Sequence, residues 1–265
     1  MPAAPHPSVH VLSSDPVRLN STLVTGAETA LLIDTGAGPA HAARILAAVR
    51  TLTDLPLIVA NTHDHWDHFF GNALFAESGV TEFLASPAFV RDCAGSAWLQ
   101  HAEASEYELA LPAPEHLLVD MTAVQDGDTL DLGGGEAEFL VLSGHTDTDL
   151  AVRVGPVVIT GDLLEEGAPP AIGAEATPVA WTRSLARLLA LPGADVFVPG
   201  HGRPVGRAFV QTQLTDLAAF AADETEETEL PARFAADPPH GEAPGHAEGG
   251  ASGRTSFGVR ITRVV

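Results

Sequence analysis

A run of histidines and aspartates at residues 61–68, NTHDHWDH, constrains the fold and chemistry of this chain more than any other feature. The pattern HxHxDH within it puts three imidazoles and a carboxylate into six positions, a density that is typical of a metal site. The apolar residues 55–60 before the run predict a buried strand, and residues 69–77 after it predict a helix. The run is therefore expected to be a loop between a strand and a helix.

Four side chains of this loop are candidate metal ligands. Residues two apart on an extended chain project to the same side, so His63 and His65 can bind one ion together. A turn into the following helix would re-aim Asp67 and His68 toward a second ion beside the first. This one loop therefore predicts ligands for two metals.

Three further candidate ligands occur later in the chain. His145, Asp162 and His201 each come just after a short apolar run that predicts a strand, and each lies beside a glycine. Glycine lets the backbone approach closely at such points. A catalytic zinc needs about three protein ligands and an open position for water. The repeated context of strand, glycine and ligand is a stronger indication of a metal site than any one histidine.

The combined pattern resembles the metallo-β-lactamase superfamily of metallohydrolases, whose marker is HxHxDH followed by separate His, Asp and His positions. The resemblance covers roughly residues 19–226, and the motif set is highly specific. Asp34 matches the family's early aspartate, which supports the metal loop by hydrogen bonding and is not normally a ligand. The ligands that the resemblance implies are His63, His65 and His145 for the first metal, Asp67, His68 and His201 for the second, and Asp162 as the bridge between them.

The implied activity is that of a dinuclear zinc-dependent hydrolase. Two divalent ions about 3.5–4 Å apart share a hydroxide, because coordination lowers the pKa of water to about 7. The expected substrate is a small ester, thioester or lactone whose carbonyl group one ion polarises. Asp67 and Asp162 are the expected catalytic carboxylates, and Asp162 would orient the proton of the hydroxide. Imidazole and carboxylate ligands without thiolate suit zinc, with iron or manganese as alternatives.

Other reactions remain open on the sequence alone. Asp162 stands where true β-lactamases usually have Cys or Ser, and His68 differs from one large antibiotic-hydrolysing branch, so only weak β-lactam hydrolysis is expected. Phosphodiester hydrolysis is a further alternative. A mononuclear iron dioxygenase of persulfides carries a similar HxHxDH scaffold and would change the reaction class. A non-catalytic metal-binding module is the least favoured interpretation.

Strand-like and helix-like segments alternate along the chain and predict an α/β fold. Their order suits a four-layer αββα sandwich, in which two mixed β-sheets pack face to face and helices flank them. The metal site would lie at one edge, where the loops converge. Strands are predicted at residues 9–12, 21–24, 30–33, 82–85 and 119–124 and in the three runs that deliver the later ligands, 139–142, 157–159 and 196–198, with a hairpin around 133–135. Helices are predicted at residues 39–52, 178–191 and 207–226.

Residues 1–229 are expected to form the hydrolase domain, with two additions near the site. Residues 87–115, helix-like in their first half, are either a lid or pocket wall over the metals or an ordinary packed insertion. Residues 165–181 have few regular signals and are expected to shape substrate entry. The residues 230–255, rich in Pro, Gly and Ala, are predicted to be flexible, and residues 256–265 to form a C-terminal strand at a sheet edge.

Composition limits the partners of the protein. The 265 residues, 45% of them hydrophobic, are enough for one full core. A formal net charge of −22 and a sequence without lysine argue against nonspecific nucleic-acid binding. No apolar run approaches the roughly 20 residues of a membrane span, and the single cysteine, Cys93, can form no intramolecular disulfide. We therefore expect a cytoplasmic enzyme for a small-molecule substrate, without nucleic-acid or membrane partners, and leave a homo-oligomer open.

Several neighbouring residues have competing interpretations. His41, His101 and His116 lie in contexts that are more typical of packing or surface positions than of ligands. Arg203 is either the nearest cation for an anionic substrate or part of a structural ion pair. Trp66 is expected to face away from the metals, although it is near enough to line the pocket, and Asp64 and Asp149 are expected to support the ligands or form turns.

Overall fold

The computed structural model describes residues 7–222, 230–234 and 254–265. Its strands are β1 (Ser8–Ser14), β2 (Leu19–Thr25), β3 (Ala30–Ile33), β4 (Leu57–Ala60), β5 (Phe83–Ala85), β6 (Thr122–Ala123), β7 (Thr129–Asp131), β8 (Glu136–Val141), β9 (Leu150–Val154), β10 (Val157–Glu165), β11 (Val196–His201), β12 (Val205–Gly206), β13 (Arg254–Ser256) and β14 (Val259–Arg263). Its helices are α1 (Pro39–Val49), α2 (Trp66–Phe69), α3 (Asn72–Glu77), α4 (Pro87–Tyr107), α5 (Pro178–Ala190) and α6 (Arg207–Ala222), with a 3-10 turn at Pro114–His116.

The strands form one mixed sheet with two halves. The first half has the order β6-β5-β4-β3-β2-β1-β14-β13, and the second has the order β11-β10-β9-β8-β7, with β12 beside the start of β11. The halves meet where Leu19 of β2 pairs with His201 of β11. The two predicted sheets are therefore the two halves of a continuous sheet, and a predicted metal ligand lies at the junction.

Alternation along buried strands explains how the layers pack. In β3, Leu31 and Ile33 belong to a core cluster that includes apolar residues of both halves, while Leu32 belongs to a second cluster with α1. In β10, Ile159 faces the shared core and Val158 faces Trp181 of α5. Strands that are covered on both faces become continuous apolar runs, as these are.

The resulting architecture has four layers. The halves of the sheet pack face to face around the shared core; α1 and α3 cover the outer face of the first half, and α5 and α6 cover that of the second. Each half of the sheet therefore buries one face against the other half and its second face against helices. The predicted α/β αββα sandwich is confirmed.

Local differences from the predicted elements have physical causes. The helix predicted at residues 69–77 is two helices, because α2 already begins at Trp66 and the chain breaks at Gly71. Gly71 donates its N–H to the carbonyl of Gly36 at 2.9 Å, and a Cβ there would collide with the backbone carbonyl of Thr35. The strand predicted at residues 119–124 shrinks to Thr122–Ala123.

The helix in residues 87–115 is longer than predicted. It runs for 21 residues, beginning after Ser86, whose hydroxyl accepts the N–H of Phe89, and with Pro87 in its first turn. A serine cap followed by proline is a strong start signal for a helix. Its end also supports a neighbour, because Glu108 accepts the N–H groups of Ala40 and His41 at the start of α1.

The C-terminal residues 254–265 form the hairpin β13–β14, which extends the first half of the sheet. β14 pairs antiparallel with β1, with Val259 and Ile261 buried. Of the predicted flexible segment 230–255, residues 235–253 lie outside the described part of the chain, as do residues 223–229 at the end of the predicted helix 207–226. In the described portion, Arg233 pairs with Asp216 of α6 at 2.9 Å. Among the residues described, none of the helices combines the length and apolar character needed to cross a membrane.

Candidate metal centre

The predicted ligands converge at one edge of the sandwich from four places in the sequence. The loop after β4 and the adjoining α2 deliver the early cluster, and the β8–β9 connection, β10 and β11 deliver the later residues. Asp162 lies inside β10 and not just past a strand, because β10 continues through an irregular register around Gly161. The residues brought together are His63, His65, Asp67, His68, His145, Asp162 and His201.

Four of these residues form what we call the first ligand group: His63, His65, His145 and Asp162. One donor atom from each lies within 4.8 Å of the others. Nε2 of His145 is 3.0 Å from Nδ1 of His65 and 3.7 Å from Oδ2 of Asp162. Nε2 of His63 is 3.8 Å from the same carboxylate oxygen. The group therefore surrounds a space of the size that one metal ion occupies.

The second ligand group consists of Asp67, His68 and His201. Nε2 of His201 is 3.2 Å from Oδ2 of Asp67, and Nε2 of His68 is 3.7 Å from that oxygen. Asp162 also reaches this group, since its Oδ1 is 3.5 Å from Nε2 of His68 and its Oδ2 is 3.5 Å from Nε2 of His201. Asp162 is thus the residue in contact with both groups.

The donor set fits divalent ions. Two ligand atoms about 2.1 Å from a tetrahedral zinc ion are about 3.4 Å apart, and the donor separations here run from 3.0 to 3.8 Å. Nε2 of His63, Nε2 of His68 and Oδ1 of Asp162 are buried, and the described residues offer them no hydrogen-bond partner. Buried polar atoms are rarely left unpaired, so a bound cation accounts for these three lone pairs.

Asp34 supports the centre from behind, as the sequence predicted. Its Oδ1 accepts the N–H of Thr62, and its Oδ2 accepts the Thr62 hydroxyl and Nδ1–H of His68, each at 2.8 Å. The Thr62 hydroxyl gives its proton to Asp34, so its oxygen accepts Nδ1–H of His63 at 3.0 Å. These contacts commit Nδ1 of both imidazoles, so Nε2 is the atom that each ring presents to the centre and that would bind a metal.

His65 and His201 are oriented by partners at the cavity margin. His65 points Nε2 at Oε1 of Glu175, 2.9 Å away, and presents Nδ1 to the first ligand group. His201 donates Nδ1–H to the carbonyl of Val17 at 3.0 Å and presents Nε2. An outer hydrogen bond of this kind fixes both the tautomer and the ring orientation.

Two buried aspartates hold the loops in place, in agreement with their predicted supporting roles. Asp149 accepts the N–H of His145 at 3.0 Å and the hydroxyl of Thr146 at 2.7 Å. Asp64 accepts the hydroxyl of Thr148 at 2.7 Å and that of Ser96. Burial raises the pKa of Asp149 to about 7, against the opposing effect of its hydrogen bonds with Thr146. The loop that carries His145 is therefore tied at both of its ends.

The imidazoles of the two groups differ in proton affinity. Burial, followed by the proximity of His68, lowers the pKa of His63 well below its usual range, and burial lowers that of His145 to about 4. In the second group, burial again lowers the pKa of His68 and His201, but nearby carboxylates outweigh it and raise both well above the usual range. Asp67 makes the largest of these contributions at His68, and Asp162 makes the largest at His201.

The carboxylates show the reciprocal effect. Burial tends to raise the pKa of Asp67, but His68 and His201 lower it to about 2. His201 and His68 likewise outweigh burial at Asp162 and hold its pKa well below the usual range. Without a metal, the second group is therefore an ion-paired cluster, in which a divalent ion takes the place of the imidazole protons.

Two glycines let backbone segments lie close to side chains of the centre at this edge of the sandwich. Gly161 has φ +53°, and a Cβ there would come within 2.6 Å of the Thr62 hydroxyl. A Cβ at Gly200 would overlap Oδ1 of Asp162. Any larger residue at either position would displace Thr62 or Asp162, which explains the glycines beside Asp162 and His201.

The centre lies at the floor of a cavity of about 980 Å³. One wall is a face of α4 that includes Leu99, Glu103 and Tyr107, which follow one another at intervals of four residues. Trp66 also lines the cavity and stacks against Tyr107 with ring centroids 4.9 Å apart and an interplanar angle of 27°. Of the two interpretations of residues 87–115, the pocket wall is the one that the contacts support.

Gln100 and Glu175 are two site residues that the sequence did not indicate. Gln100 of α4 accepts the N–H of Trp66 at 2.7 Å and donates to the carbonyl of Asp64 at 2.9 Å, which clamps the metal loop to α4. Glu175 orients His65 from the segment before α5. Neither lies in a motif, so only the packing of α4 and of the loop after β10 reveals them. Glu165 was named only as the start of an entry loop, yet it lines the cavity, and burial followed by Asp162 raises its pKa well above the usual range.

The remaining candidates are resolved by their contacts. His41 is buried away from the centre, accepts the N–H of Ala37 at Nδ1, and bonds the hydroxyl of Ser14 through Nε2. His101 donates to the carbonyl of Pro112, and His116 is exposed. Arg203 pairs with Glu166 at 3.3 Å, which agrees with the structural alternative for that residue.

Comparisons with known proteins agree with this geometry. The family model of the metallo-beta-lactamase superfamily matches residues 14–201. The hydroxyacylglutathione hydrolase of Ruegeria pomeroyi is 33% identical over 146 residues, which cover 53% of this chain and 46% of that protein. The acyl-coenzyme A thioesterase MBLAC2 of Gallus gallus is 27% identical over 163 residues, 57% of this chain and 59% of that protein. The chain thus spans about half the length of these curated relatives.

A solved structure gives the same result at the level of the fold. The crystal structure of TTHA1623 in a di-iron-bound form is 28% identical, has a TM-score of 0.62, and covers 76% of this chain and 96% of that one. The family model covers more than half of the present chain, including every residue of both ligand groups. The chain therefore belongs to the metallo-β-lactamase superfamily.

Proposed function

We propose that this protein is a dinuclear zinc-dependent hydrolase of small thioesters, with esters and lactones as the related substrates. The observation that carries the proposal is the pair of ligand groups that share Asp162 at the floor of an open cavity. The names of two relatives, a hydroxyacylglutathione hydrolase and an acyl-coenzyme A thioesterase, favour thioesters within this range.

Each part of the site has a role in this reaction. Bound divalent ions supply a water of lowered pKa and polarise an acyl oxygen. Asp162 contacts both groups, so it would help to hold both ions, and its Oδ2 would be available to accept a proton from the attacking water. Asp67 contributes a second carboxylate on the same side, through its Oδ2 near His201. Trp66, Leu99 and Tyr107 give the α4 wall an apolar surface against which the acyl group would pack.

Zinc is the proposed metal, and its identity is open to a direct test. Seven imidazole and carboxylate donors without a thiolate suit zinc, but they also suit iron. The di-iron form of TTHA1623 makes iron the relevant alternative. A mononuclear iron dioxygenase of persulfides would be the corresponding second function.

The test is metal quantification on the purified protein together with a substrate panel. We expect two equivalents of zinc per chain and the highest turnover on thioesters, followed by esters and lactones, and then by phosphodiesters and β-lactams. The double variant Asp67→Ala, His68→Ala should lose the second equivalent and most of the activity. His116→Ala, which alters an exposed histidine outside the centre, is the matched control.

Two outcomes would contradict the proposal. One equivalent of iron, with oxygen consumption on glutathione persulfide, would replace it with the dioxygenase. Undiminished hydrolysis by the double variant would remove the second ligand group from the mechanism. A small-molecule substrate and a cytoplasmic site of action remain parts of the proposal, and self-association remains a prediction for sedimentation analysis.

A further inference from the structure

The cavity above the metal centre carries an unusual distribution of charge. Besides the proposed ligands, six carboxylates line it, whereas no arginine lies among its described lining residues and the sequence contains no lysine. We propose that the cavity selects thioester substrates whose leaving group carries a positive charge, such as a quaternary ammonium, and rejects anionic ones. This inference rests on the proposed thioesterase function. The six carboxylates are Asp64, Asp92, Glu103, Asp147, Glu165 and Glu175.

The cavity is a ligand site on grounds that are independent of these acids. Asp162 at its floor is only 6% exposed, and its Oδ1 is without a hydrogen-bond partner in the described structure. Nε2 of His63 and Nε2 of His68 are likewise buried and have no hydrogen-bond partner among the described residues. These atoms mark the metal centre beneath the cavity, Asp162 connects that centre to the cavity lining, and the acids show what surrounds a group bound there.

Five of the six carboxylates fall into two sets, and the sixth, Glu165, is buried in the cavity lining. Asp64 is committed to hydrogen bonds with Ser96 and Thr148, and Glu175 to His65, so these serve the metal loop. The other set lies farther out. Glu103 and Asp147 are exposed at the mouth of the cavity, and Asp92 is half-buried beside them. A substrate therefore passes an acidic rim before it reaches the floor.

The nearby arginines pair with acidic side chains. Arg91 pairs with Asp92 at 2.5 Å and does not line the cavity, although it lines a neighbouring depression that Asp147 also borders. Arg203 is paired with Glu166 at 3.3 Å and is not among the lining residues. Two divalent ions balanced by Asp67 and Asp162 would leave about two positive charges at the floor. Four lining carboxylates, Asp64, Glu103, Asp147 and Glu175, remain when the buried Glu165, whose pKa is raised, and the Arg91-paired Asp92 are left out.

An aromatic surface accompanies the acidic rim. Trp66 and Tyr107 stack on one another, both line the cavity, and Tyr107 is 50% exposed. Glu103 precedes Tyr107 by one helical turn on the same face of α4. A cation over an aromatic ring with a carboxylate beside it is attracted both by the ring quadrupole and by the opposite charge. This combination suits a quaternary ammonium better than a neutral group of the same size.

The inference separates this chain from its named relatives. Glutathione carries carboxylates and coenzyme A carries phosphates, so the substrates in those names bring negative charge to the site. Like-charge contact at the rim disfavours them here. The reaction itself is unchanged: water oxygen bonds to the acyl carbon, the C–S bond breaks, and the sulphur leaves with the electron pair as a thiolate that takes up a proton.

The first experiment compares three thioesters on the zinc-loaded protein. Acetylthiocholine is the cation, 3,3-dimethylbutyl thioacetate is its neutral isostere, and S-acetylmercaptosuccinate is the anion. We expect kcat/KM to be about tenfold higher for the cation than for the isostere at low ionic strength, and lower still for the anion. The ratio should fall toward one in about 0.5 M salt, because the Debye length then shrinks to a few ångströms.

Variants of the rim assign the effect to its residues. The double variant Glu103→Gln, Asp147→Asn should lower the ratio of cation to isostere by roughly threefold at low salt. Glu106→Gln is the matched control, because Glu106 is exposed on the same helix but does not line the cavity. The control should leave the ratio unchanged.

A binding measurement keeps the inference testable even if the proposed hydrolysis fails. Calorimetry on the zinc-loaded protein would compare the ketone 4-oxopentyltrimethylammonium with its neutral isostere 6,6-dimethylheptan-2-one, neither of which can be hydrolysed. Tighter binding of the cation supports the inference whether or not turnover is seen. Equal binding, a preference for the anionic thioester, or a ratio that ignores the rim variants would overturn it. Failure to hydrolyse any thioester, with cation binding intact, would instead reject the proposed function alone.

Discussion

The two ligand groups lie side by side in one buried centre, yet they are stabilised differently. In the first group, burial lowers the pKa of His63 and His145, so these imidazoles are neutral. In the second group, the carboxylates of Asp67 and Asp162 overcome the same burial and raise the pKa of His68 and His201. The second group is therefore held together by charge before any ion binds, and the first is held by hydrogen bonds from its surroundings.

This difference shows what decides the state of a buried imidazole. Burial acts in the same direction in both groups, and the number of adjacent carboxylates sets the outcome. The outer partners differ too, because His68 has the buried Asp34 behind it and His65 has Glu175, whose side chain is 49% exposed. We infer that a metal in the first group depends on weaker outer support than one in the second.

The largest expected effect comes from the residue that the groups share. In Asp162→Asn, an amide of the same shape replaces the carboxylate that contacts both groups, so both ions lose a charged ligand. We expect kcat/KM on the best thioester to fall on the order of 10³-fold, since several kcal/mol of transition-state stabilisation are lost. Metal content should fall for both ions. Asp120→Asn, at an exposed position, is the control. An Asp162→Asn protein that keeps two metals and full activity would show that the two groups do not depend on Asp162.

His41 lies outside the ligand groups and shows the effect of burial with only a smaller opposing contribution from the carboxylate of Asp67. Burial, with a smaller contribution from Arg44, lowers its pKa from 6.5 to about 4, and its neutral ring bonds Ala37 and Ser14. The unfolded chain binds a proton below pH 6.5 that the folded one refuses, so this stability is complete above pH 6.5 and is lost as the pH falls toward 4. The full loss is about 3 kcal/mol.

Chemical denaturation between pH 4 and 7 measures this contribution. The free energy of unfolding should rise with pH over that window in the wild type, and more shallowly in His41→Gln. The difference in slope between the two proteins is the readout, because the metal ligands titrate in both. Parallel slopes would show that burial alone does not keep this imidazole neutral.

The residues that converge at the centre were easier to predict from the sequence than the residues that hold them in place. The early cluster directly follows an apolar strand. The alternation of side chains along an extended chain and the turn into α2 were therefore enough to predict where His63, His65 and Asp67 point. Asp34 was found because it lies at the end of another buried strand. Gln100 could not be found, because it acts from a helix whose packing on the metal loop has no local signal.

The fold shows the same division between local and tertiary information. Buried strands such as β3 and the helix α1 were predicted nearly at their bounds, because apolar runs and periodicity are local. The break between α2 and α3 was missed, since it depends on the contact of Gly71 with the neighbouring loop at residues 35–36. The extension of β10 through Asp162 likewise depends on its pairing with β11.

Removing the buried outer support should have an intermediate effect. Asp34 is 1% exposed and accepts hydrogen bonds from Thr62 and His68. In Asp34→Asn, the carboxylate that fixes His68 is lost, so we expect metal affinity in the second group to fall about 10- to 100-fold. Competition with a chelator, followed by metal analysis, should show one ion released earlier than in the wild type. Unchanged release of both ions would contradict the role of Asp34.

The smallest expected effect belongs to Glu175. Its side chain is half exposed, so solvent screens the charge that it brings to His65. Gln at this position keeps an oxygen that can accept Nε2–H of His65, and Ala removes the acceptor altogether. We therefore expect metal affinity in the first group to fall about twofold in Glu175→Gln and about tenfold in Glu175→Ala, measured by the same chelator competition. If Glu175→Gln lowers metal affinity as much as Asp34→Asn does, the exposure of the outer carboxylate does not determine how strongly it supports its histidine. The two groups would then be equivalent in their outer support.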